Sequence, residues 1–387
     1  MDSAALQDSW KQVAKSGDEV PLFFYSHLFL SHPEVREMFP VSMAAQRDKL
    51  VGALGAVVSN AHQIDDVLPV LQQLGRDHRR FGAVADHYPA VGASLLATLS
   101  YFLGPLWTEE LAADWAAAYG LVARVMVQAA EEAEEESPAW WPAEVLAVER
   151  RTLDVAVLQI QPGQSFEYQP GQSFAMEVPH RPRLWRYFSP ANAPRDDGSI
   201  ELHVQLVAGG QVSTSIARST RIGDTVRIGA PVGDGLTREA VDGRDLLMVA
   251  GGTGLAPLRA VLEQIDRDWQ TTAQAPQVHL FHGARMPWNL YEHNRLSRLA
   301  NRPWFNYTAV VSDDSSYPGT RGLVGSVAAQ SPERSGRVAM VCGSGAMVEQ
   351  SVSELERAGT QREDIRFENF AVASGGNRTA EPERGDD

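Results

Sequence analysis

Near residue 137 the hydrophobic rhythm of this chain changes, and that change limits what the chain can fold into. Before it, apolar residues recur at helical spacing: Leu50, Ala53, Leu54 and Val57; Leu71, Leu74 and Phe81; Val91, Leu95, Leu99 and Phe102. After it they alternate in short runs. Beyond Asp245 they gather into apolar strands set between helical stretches. The break is the acidic run Glu131-Glu132-Ala133-Glu134-Glu135-Glu136, closed by Ser137-Pro138. It reads as a solvated helix end, and Ala139-Trp140-Trp141-Pro142 opens the alternation. The expected fold is therefore mixed: an all-α unit over 1–137, an antiparallel β-barrel over 140–240 and an α/β unit with a parallel sheet over 241–372. With 387 residues there is room for all three.

Composition narrows the partners. The hydrophobic share of 44% supports real cores, while a formal charge of -15 argues against nucleic-acid or anionic-membrane surfaces. A single cysteine, Cys342, rules out internal disulfides and fits a reducing cytosol. No secretory leader is evident, and no run reaches the roughly 18–20 apolar residues of a spanning helix. The expectation is a soluble cytoplasmic monomer. Gly/Arg/Glu-rich residues 373–387 read as a disordered tail.

In the first third, Pro33, Pro40, Pro69, Pro89 and Pro105 are expected near helix starts. Three polar residues sit on apolar faces. His78 shares the face of Leu71, Leu74 and Phe81; a neutral imidazole there can ligate a metal, although a hydrogen-bonded core histidine is the plainer reading. Tyr25 lies with Leu22, Leu28 and Phe29, and Gln46 heads the face of Leu50 and Leu54.

In the middle third, strands are expected at 144–150, 153–160, 172–178, 184–190, 199–206 and 225–228. Pro170-Gly171, Asp197-Gly198, Gly209-Gly210 and Gly223-Asp224 separate them. In Gly209-Gly210-Gln211-Val212-Ser213-Thr214, glycines let the backbone approach an anion, successive N–H groups cup it and hydroxyls add donors.

In the last third, the strand Leu246–Ala250 runs into Gly251-Gly252-Thr253-Gly254-Leu255-Ala256-Pro257, a tight turn whose following helix offers N–H groups to a pyrophosphate. Further strands are expected at 277–283, 305–311, 338–342 and 365–370. The first of these, the second strand of the unit, runs into Arg285, which could meet a 2′-phosphate or the ribose edge. No acidic residue stands there to favour a 2′-hydroxyl, so NADH and NADPH both remain open.

Taken in order, Phe23-Phe24-Tyr25-Ser26-His27, His32-Pro33-Glu34, Met38-Phe39-Pro40, Gln46, Asp77-His78-Arg79-Arg80-Phe81 and Asp86-His87-Tyr88-Pro89 resemble the globin domain of bacterial flavohaemoglobins. The resemblance implies a haem b whose iron is held by His78. Tyr25 and Gln46 would lie on its distal side and Tyr88 on its proximal side, with Phe39 against the porphyrin and Leu50 narrowing the pocket. The family's proximal glutamate falls at Ala130; either the adjacent Glu131 substitutes through a local shift, or the iron is less electron-rich than usual.

Arg186-Tyr187-Phe188-Ser189 resembles the flavin signature of the ferredoxin-reductase superfamily. It implies Arg186 on the pyrophosphate of FAD, Phe188 (commonly tyrosine) against the isoalloxazine, and Ser189 near its N5. Tyr187 would face the other side of the strand. Tyr168, Gln172 and the segment Gly210, Gln211, Val212, Ser213, Thr214 complete the implied FAD contacts. Gly252, Thr253, Gly254, Pro257, Arg285, Cys342, Gly343, Met347, Glu368 and Phe370 are the implied nicotinamide-side residues, Ser344 replacing the family's proline after Gly343. The activity implied is NAD(P)H-dependent conversion of NO and O2 to nitrate. Two alternatives stay open: a flavin reductase serving another acceptor, and an O2- or NO-binding sensor.

Overall fold

The computed structural model describes residues 2–59 and 64–368. The expectations for Phe370 and for a tail after residue 372 fall outside that range. The chain divides into two compact units, one ending at Trp140 and the other beginning at Trp141.

The first unit is helical: α1 (Ser3–Ala14), α2 (Glu19–Ser31), α3 (Ala44–Ser59), α4 (Ile64–His78), α5 (Tyr88–Leu103) and α6 (Glu109–Glu136). Asp2 caps α1 by accepting from the Ala4 and Ala5 N–H groups, and Thr108 caps α6 through Leu111 N. Its core joins Leu6, Val13, Phe24, Leu28, Leu95, Leu99 and Trp115. The helix α4 crosses α6 so closely that a Cβ on Gly75 would lie 2.2 Å from the Met126 carbonyl oxygen. Pro33 and Pro89 do open helical turns, but Pro69 stands inside α4. It is exposed there, where its missing N–H and bulky ring face outward. By length and composition alone, Ala85–Leu106 is apolar enough to cross a membrane. In the fold its Ala90, Leu95, Leu99 and Leu103 are core residues.

The second unit begins with β1 (Trp141–Arg150), β2 (Val155–Pro162), β3 (Ser173–Glu177), β4 (Arg186–Phe188), β5 (Ile200–Gln205), α7 (Gln211–Arg218) and β6 (Thr225–Val232). The strands form an antiparallel sheet in the order β4-β3-β6-β1-β2-β5. A bridge from Pro190, just past β4, to Leu202 of β5 brings the two edge strands together. The alternation that suggested a barrel thus serves one, with Val145, Leu158, Ile160, Phe174, Met176, Leu202 and Ile228 inside.

There follow β7 (Leu246–Gly251), α8 (Leu255–Thr272), β8 (Val278–Ala284), α9 (His293–Leu299), β9 (Phe305–Val311), β10 (Thr320–Arg321), α10 (Val324–Gln330), β11 (Val338–Cys342), α11 (Gly345–Arg357) and β12 (Ile365–Phe367). All six strands are parallel, in the order β10-β9-β8-β7-β11-β12. Helices cover both faces: α8 and α9 pack over Met248, Leu280 and Met340, and α10 and α11 over Val249, Phe281 and Val341. Direction reverses between β7 and β11, so the crevice of this doubly wound sheet opens at the carboxyl ends of those two strands.

Gly75→Ala drives a methyl into the α6 main chain and should cost about 3 kcal/mol. Chemical denaturation followed at the far-UV helix band checks this; a change within 0.5 kcal/mol would mean the crossing can open freely.

Candidate functional site

In the helical unit, α4 ends on His78. Its Nδ1 donates to the Leu74 carbonyl one turn back, at 2.7 Å. That bond fixes the ring and leaves Nε2 as the atom available to a metal. Burial pulls the His78 pKa down, so the imidazole is neutral and able to donate its lone pair.

Tyr25 of α2, Phe39 and Leu50 belong to one apolar cluster. The Tyr25 ring meets Phe39 edge-on at 5.6 Å and Phe29 at 5.8 Å. Its hydroxyl donates a long, 3.4 Å bond to the Gln46 main-chain carbonyl. Burial raises its pKa to about 12, so the hydroxyl keeps its proton. Tyr88 opens α5, and its carbonyl accepts from the Tyr119 hydroxyl at 2.7 Å. Glu131 does not stand in for a proximal carboxylate: it is exposed on α6, which turns Met126, Ala129 and Ala133 inward. A neutral carbonyl is the partner of the His78 Nδ1.

Phe39, Met43, Leu50, Leu54, Val91 and Leu96 line this cluster only half-buried, whereas the barrel core is almost closed. Apolar side chains left partly exposed, in a unit that also carries a neutral histidine with a free Nε2, fit a flat, apolar, iron-bearing macrocycle.

In the barrel, Arg186 pairs in register with Met176, Tyr187 with Ala175 and Phe188 with Phe174. Phe188 packs against the barrel core and Ser189 is buried. Arg186 is exposed and donates to the Trp185 carbonyl at 2.8 Å. Asn192, fully buried, donates to the Ala193 and Ser199 carbonyls at 2.8 and 3.1 Å and accepts from Glu201 N at 2.6 Å. These bonds lock the strand end that follows Ser189.

The segment read as a phosphate loop is the amino end of α7, a helix the sequence did not announce. A cavity of about 550 Å³ lies against it, lined by Gly209, Gly210, Gln211 and Thr214 together with Arg181 and Arg218. Two guanidinium groups and a helix amino end make this an anion site. Arg181 and Arg218 were missed from sequence; the available signal was the four-residue spacing of Thr214 and Arg218.

Two of the expected contacts spend their side chains elsewhere. Val212 is buried in the barrel core, and Tyr168 is buried there with its hydroxyl donating to the Asn192 carbonyl at 2.9 Å. Only their main chains can face a ligand. Gln172 is used locally, accepting from Gln169 N at 2.8 Å, and the Ser213 hydroxyl accepts from Val207 N at 3.2 Å.

At the crevice of the parallel sheet, Gly252, Thr253 and Gly254 form the turn from β7 to α8, and Pro257 lies buried in the first turn of α8. A Cβ on Gly254 would stand 2.3 Å from the Cys342 carbonyl oxygen, so only glycine fits. Met347 of α11 lies across Gly251 and Gly343. Glu368 follows β12, its carboxylate against Gly233 at the barrel edge. Burial raises its pKa to about 7. The neighbouring Cys342 thiol is pushed far up by burial and then by the Glu368 charge. On the rim, the Arg285 Nε donates to Asp313 at 2.8 Å.

Three family models match the chain: Globin over residues 22–126, Oxidoreductase FAD-binding domain over 143–235 and Oxidoreductase NAD-binding domain over 248–353. The curated relatives include flavohemoproteins of Bacillus subtilis, 27% identical over 260 residues, and of Bordetella parapertussis, 29% identical over 269. These alignments cover 64% of this chain and 65% and 66% of the relatives, just under two thirds of their length. Among solved structures, a Malassezia yamatoensis flavohemoglobin with bound FAD and heme shares the fold at a TM-score of 0.76, with 17% identity and coverage of 95% of this chain and 98% of that one. An Amycolatopsis cytochrome P450 reductase matches at 0.55 and 27% identity, covering 60% of this chain and 69% of that one. The class so defined is a globin joined to a flavin- and nicotinamide-type oxidoreductase. With its domains in that order, the chain is similar to the flavohemoproteins in sequence and to a flavohemoglobin in fold.

Between the ordinary value of 4.5 and about 7, native Glu368 holds a proton that the unfolded chain has released. Native stability therefore falls as pH rises through that window. Glu368→Gln should flatten the fall between pH 5 and 7.5, read by denaturant melts at each pH; an unaltered slope would refute the assignment.

Proposed function

We propose that this chain is an NAD(P)H-dependent nitric oxide dioxygenase. NO and O2 combine to nitrate, and each NO consumes one electron drawn from NADH or NADPH. When bound, haem b supplies a redox-active iron, FAD converts a two-electron donor into single electrons, and the nicotinamide supplies hydride.

His78 is the iron ligand, and its bond to Leu74 holds the imidazole at one angle. Tyr25 presents a phenol that stays protonated and so can donate to a polar gas ligand, with Gln46 beside it. Phe39 and Leu50 border the same pocket, and Tyr88 stands at the start of α5. Gly210, Gln211, Ser213, Thr214, Arg181 and Arg218 would hold the pyrophosphate of FAD. Arg186 would join them on release from the Trp185 carbonyl, and Phe188 and Ser189 would border the isoalloxazine, with Tyr187 on the other side of the strand. Gly252, Thr253 and Gly254 would take the nicotinamide dinucleotide, with Cys342, Gly343, Met347 and Glu368 towards its redox end. Asp313 competes for Arg285 and so weakens its pull on a 2′-phosphate, which favours NADH. The setting is a cytoplasmic protein acting on two small gases.

The observation that carries this reading is His78, neutral and anchored through Nδ1 so that Nε2 is left to a metal, in a helical unit whose core leaves apolar side chains partly exposed. One observation favours a second reading. The Nδ1 partner is a carbonyl and not a carboxylate, which makes the imidazole a weaker electron donor, an effect of about 10–100-fold in rate. On that reading the flavin serves another acceptor and the globin turns over slowly.

Purified protein should show haem and flavin bands. His78→Ala should abolish the haem bands, and with them NO-dependent nitrate formation, while leaving flavin content and NADH reduction intact. Nitrate formation that survives without haem would overturn the proposal. Intact haem that NADH leaves ferric would favour the second reading, and gas binding without turnover a sensor.

A further inference from the structure

Where the barrel meets the parallel-sheet lobe, four charged side chains form an open ring of ion pairs, buried at Arg259 and Glu292 and partly exposed at Glu201 and Arg151. Arg259 stands on the first turn and a half of α8 and is 3% exposed. It donates to Glu201 of β5 at 2.5 Å and lies 3.6 Å from Glu292, just before α9. Glu292, also 3% exposed, pairs in turn with Arg151 in the β1–β2 connection. Signs alternate around the ring, and each of its two acids is gripped from both lobes or across them. His203, on β5 with Glu201, extends the joint: its Nε2 is 3.0 Å from Glu201 and its Nδ1 2.8 Å from the Tyr291 hydroxyl. Asn289 adds a further link, its amide 3.2 Å from both oxygens of Asp154.

Stability alone does not explain such a ring. Buried charges pay for desolvation, and well-packed apolar side chains would hold two lobes together at least as well. Here the pairing is also incomplete: Arg259 Nε and Nη2 and Glu292 Oε2 make no hydrogen bond. What a guanidinium fork does supply is a fixed direction. Its location gives that direction a use. One end of Arg259 leads down α8 to the Gly252–Gly254 turn. Its other end grips Glu201, next to Leu202, whose bridge to Pro190 adjoins Ser189. Few residues separate the nucleotide turn from the flavin strand end along this path.

We propose that Arg259, held between Glu201 and Glu292, is the positioning residue that sets how the nucleotide turn faces the flavin strand end. This rests on the reading that the second unit binds FAD and NAD(P)H. Hydride transfer depends steeply on approach, so a displacement of about 1 Å costs on the order of 100-fold. The residue touches neither reactant, and its loss must therefore appear in the transfer step and not in nucleotide binding.

The test is anaerobic stopped-flow reduction of the full-length holoprotein by NADH and by NADPH, comparing wild type with Arg259→Lys and Glu292→Gln. The limiting rate of flavin bleaching should fall by at least about 10-fold. The apparent Kd for nucleotide should stay within about 3-fold, with FAD content unchanged. A limiting rate within 2-fold of wild type, or a loss confined to Kd, overturns the proposal. Should either variant lose its flavin, Arg151→Gln at the half-buried side of the ring carries the same two outcomes. Wild-type flavin that neither nucleotide reduces would instead sink the functional reading, and this inference with it.

Discussion

At the carboxyl ends of β7 and β11 the main chain of one turn lies against the main chain of another. Gly254 approaches the Cys342 carbonyl so closely that no side chain can stand between them. That contact draws the start of α8 down onto the sheet and aims its first N–H groups into the crevice. It also sets where the rest of α8 runs, and hence where Arg259 reaches the barrel. A larger residue at this one position would lift α8, open the crevice and pull the charged ring apart together.

The helical unit works by the opposite principle. Its core closes around Leu28, Leu99 and Trp115 but leaves Phe39, Leu50 and Val91 half-exposed. Apolar surface left open in this way carries a standing free-energy cost of about 25 cal/mol per Å². A flat apolar ligand would recover it. The His78 side chain is prepared for such a ligand by a bond within its own helix, independent of any other element.

The sequence is most informative where the relevant signal is local. A change of period marks the passage from helices to strands, and the structure divides at Trp140, close to the acidic run. His78 and Tyr25 could be singled out because each interrupts an apolar face. Glycine turns betray themselves by composition. Side-chain direction was harder to read: Tyr168 and Val212 sit inside motifs, yet their side chains fill the barrel core. Pairings between distant segments were not legible at all. Arg259 meets a glutamate 58 positions away, and Arg181 lines a cavity with Arg218 from beyond two intervening strands. No periodicity records such meetings; they exist only once β5 and α8 have been laid against each other.

The burial of Cys342 bears on durability. The lone thiol is fully enclosed, and its ionisation is suppressed by its surroundings and by the neighbouring carboxylate. Nitrosation and peroxide attack both proceed through an accessible thiolate. The fold thus keeps its one thiol out of reach of such oxidants.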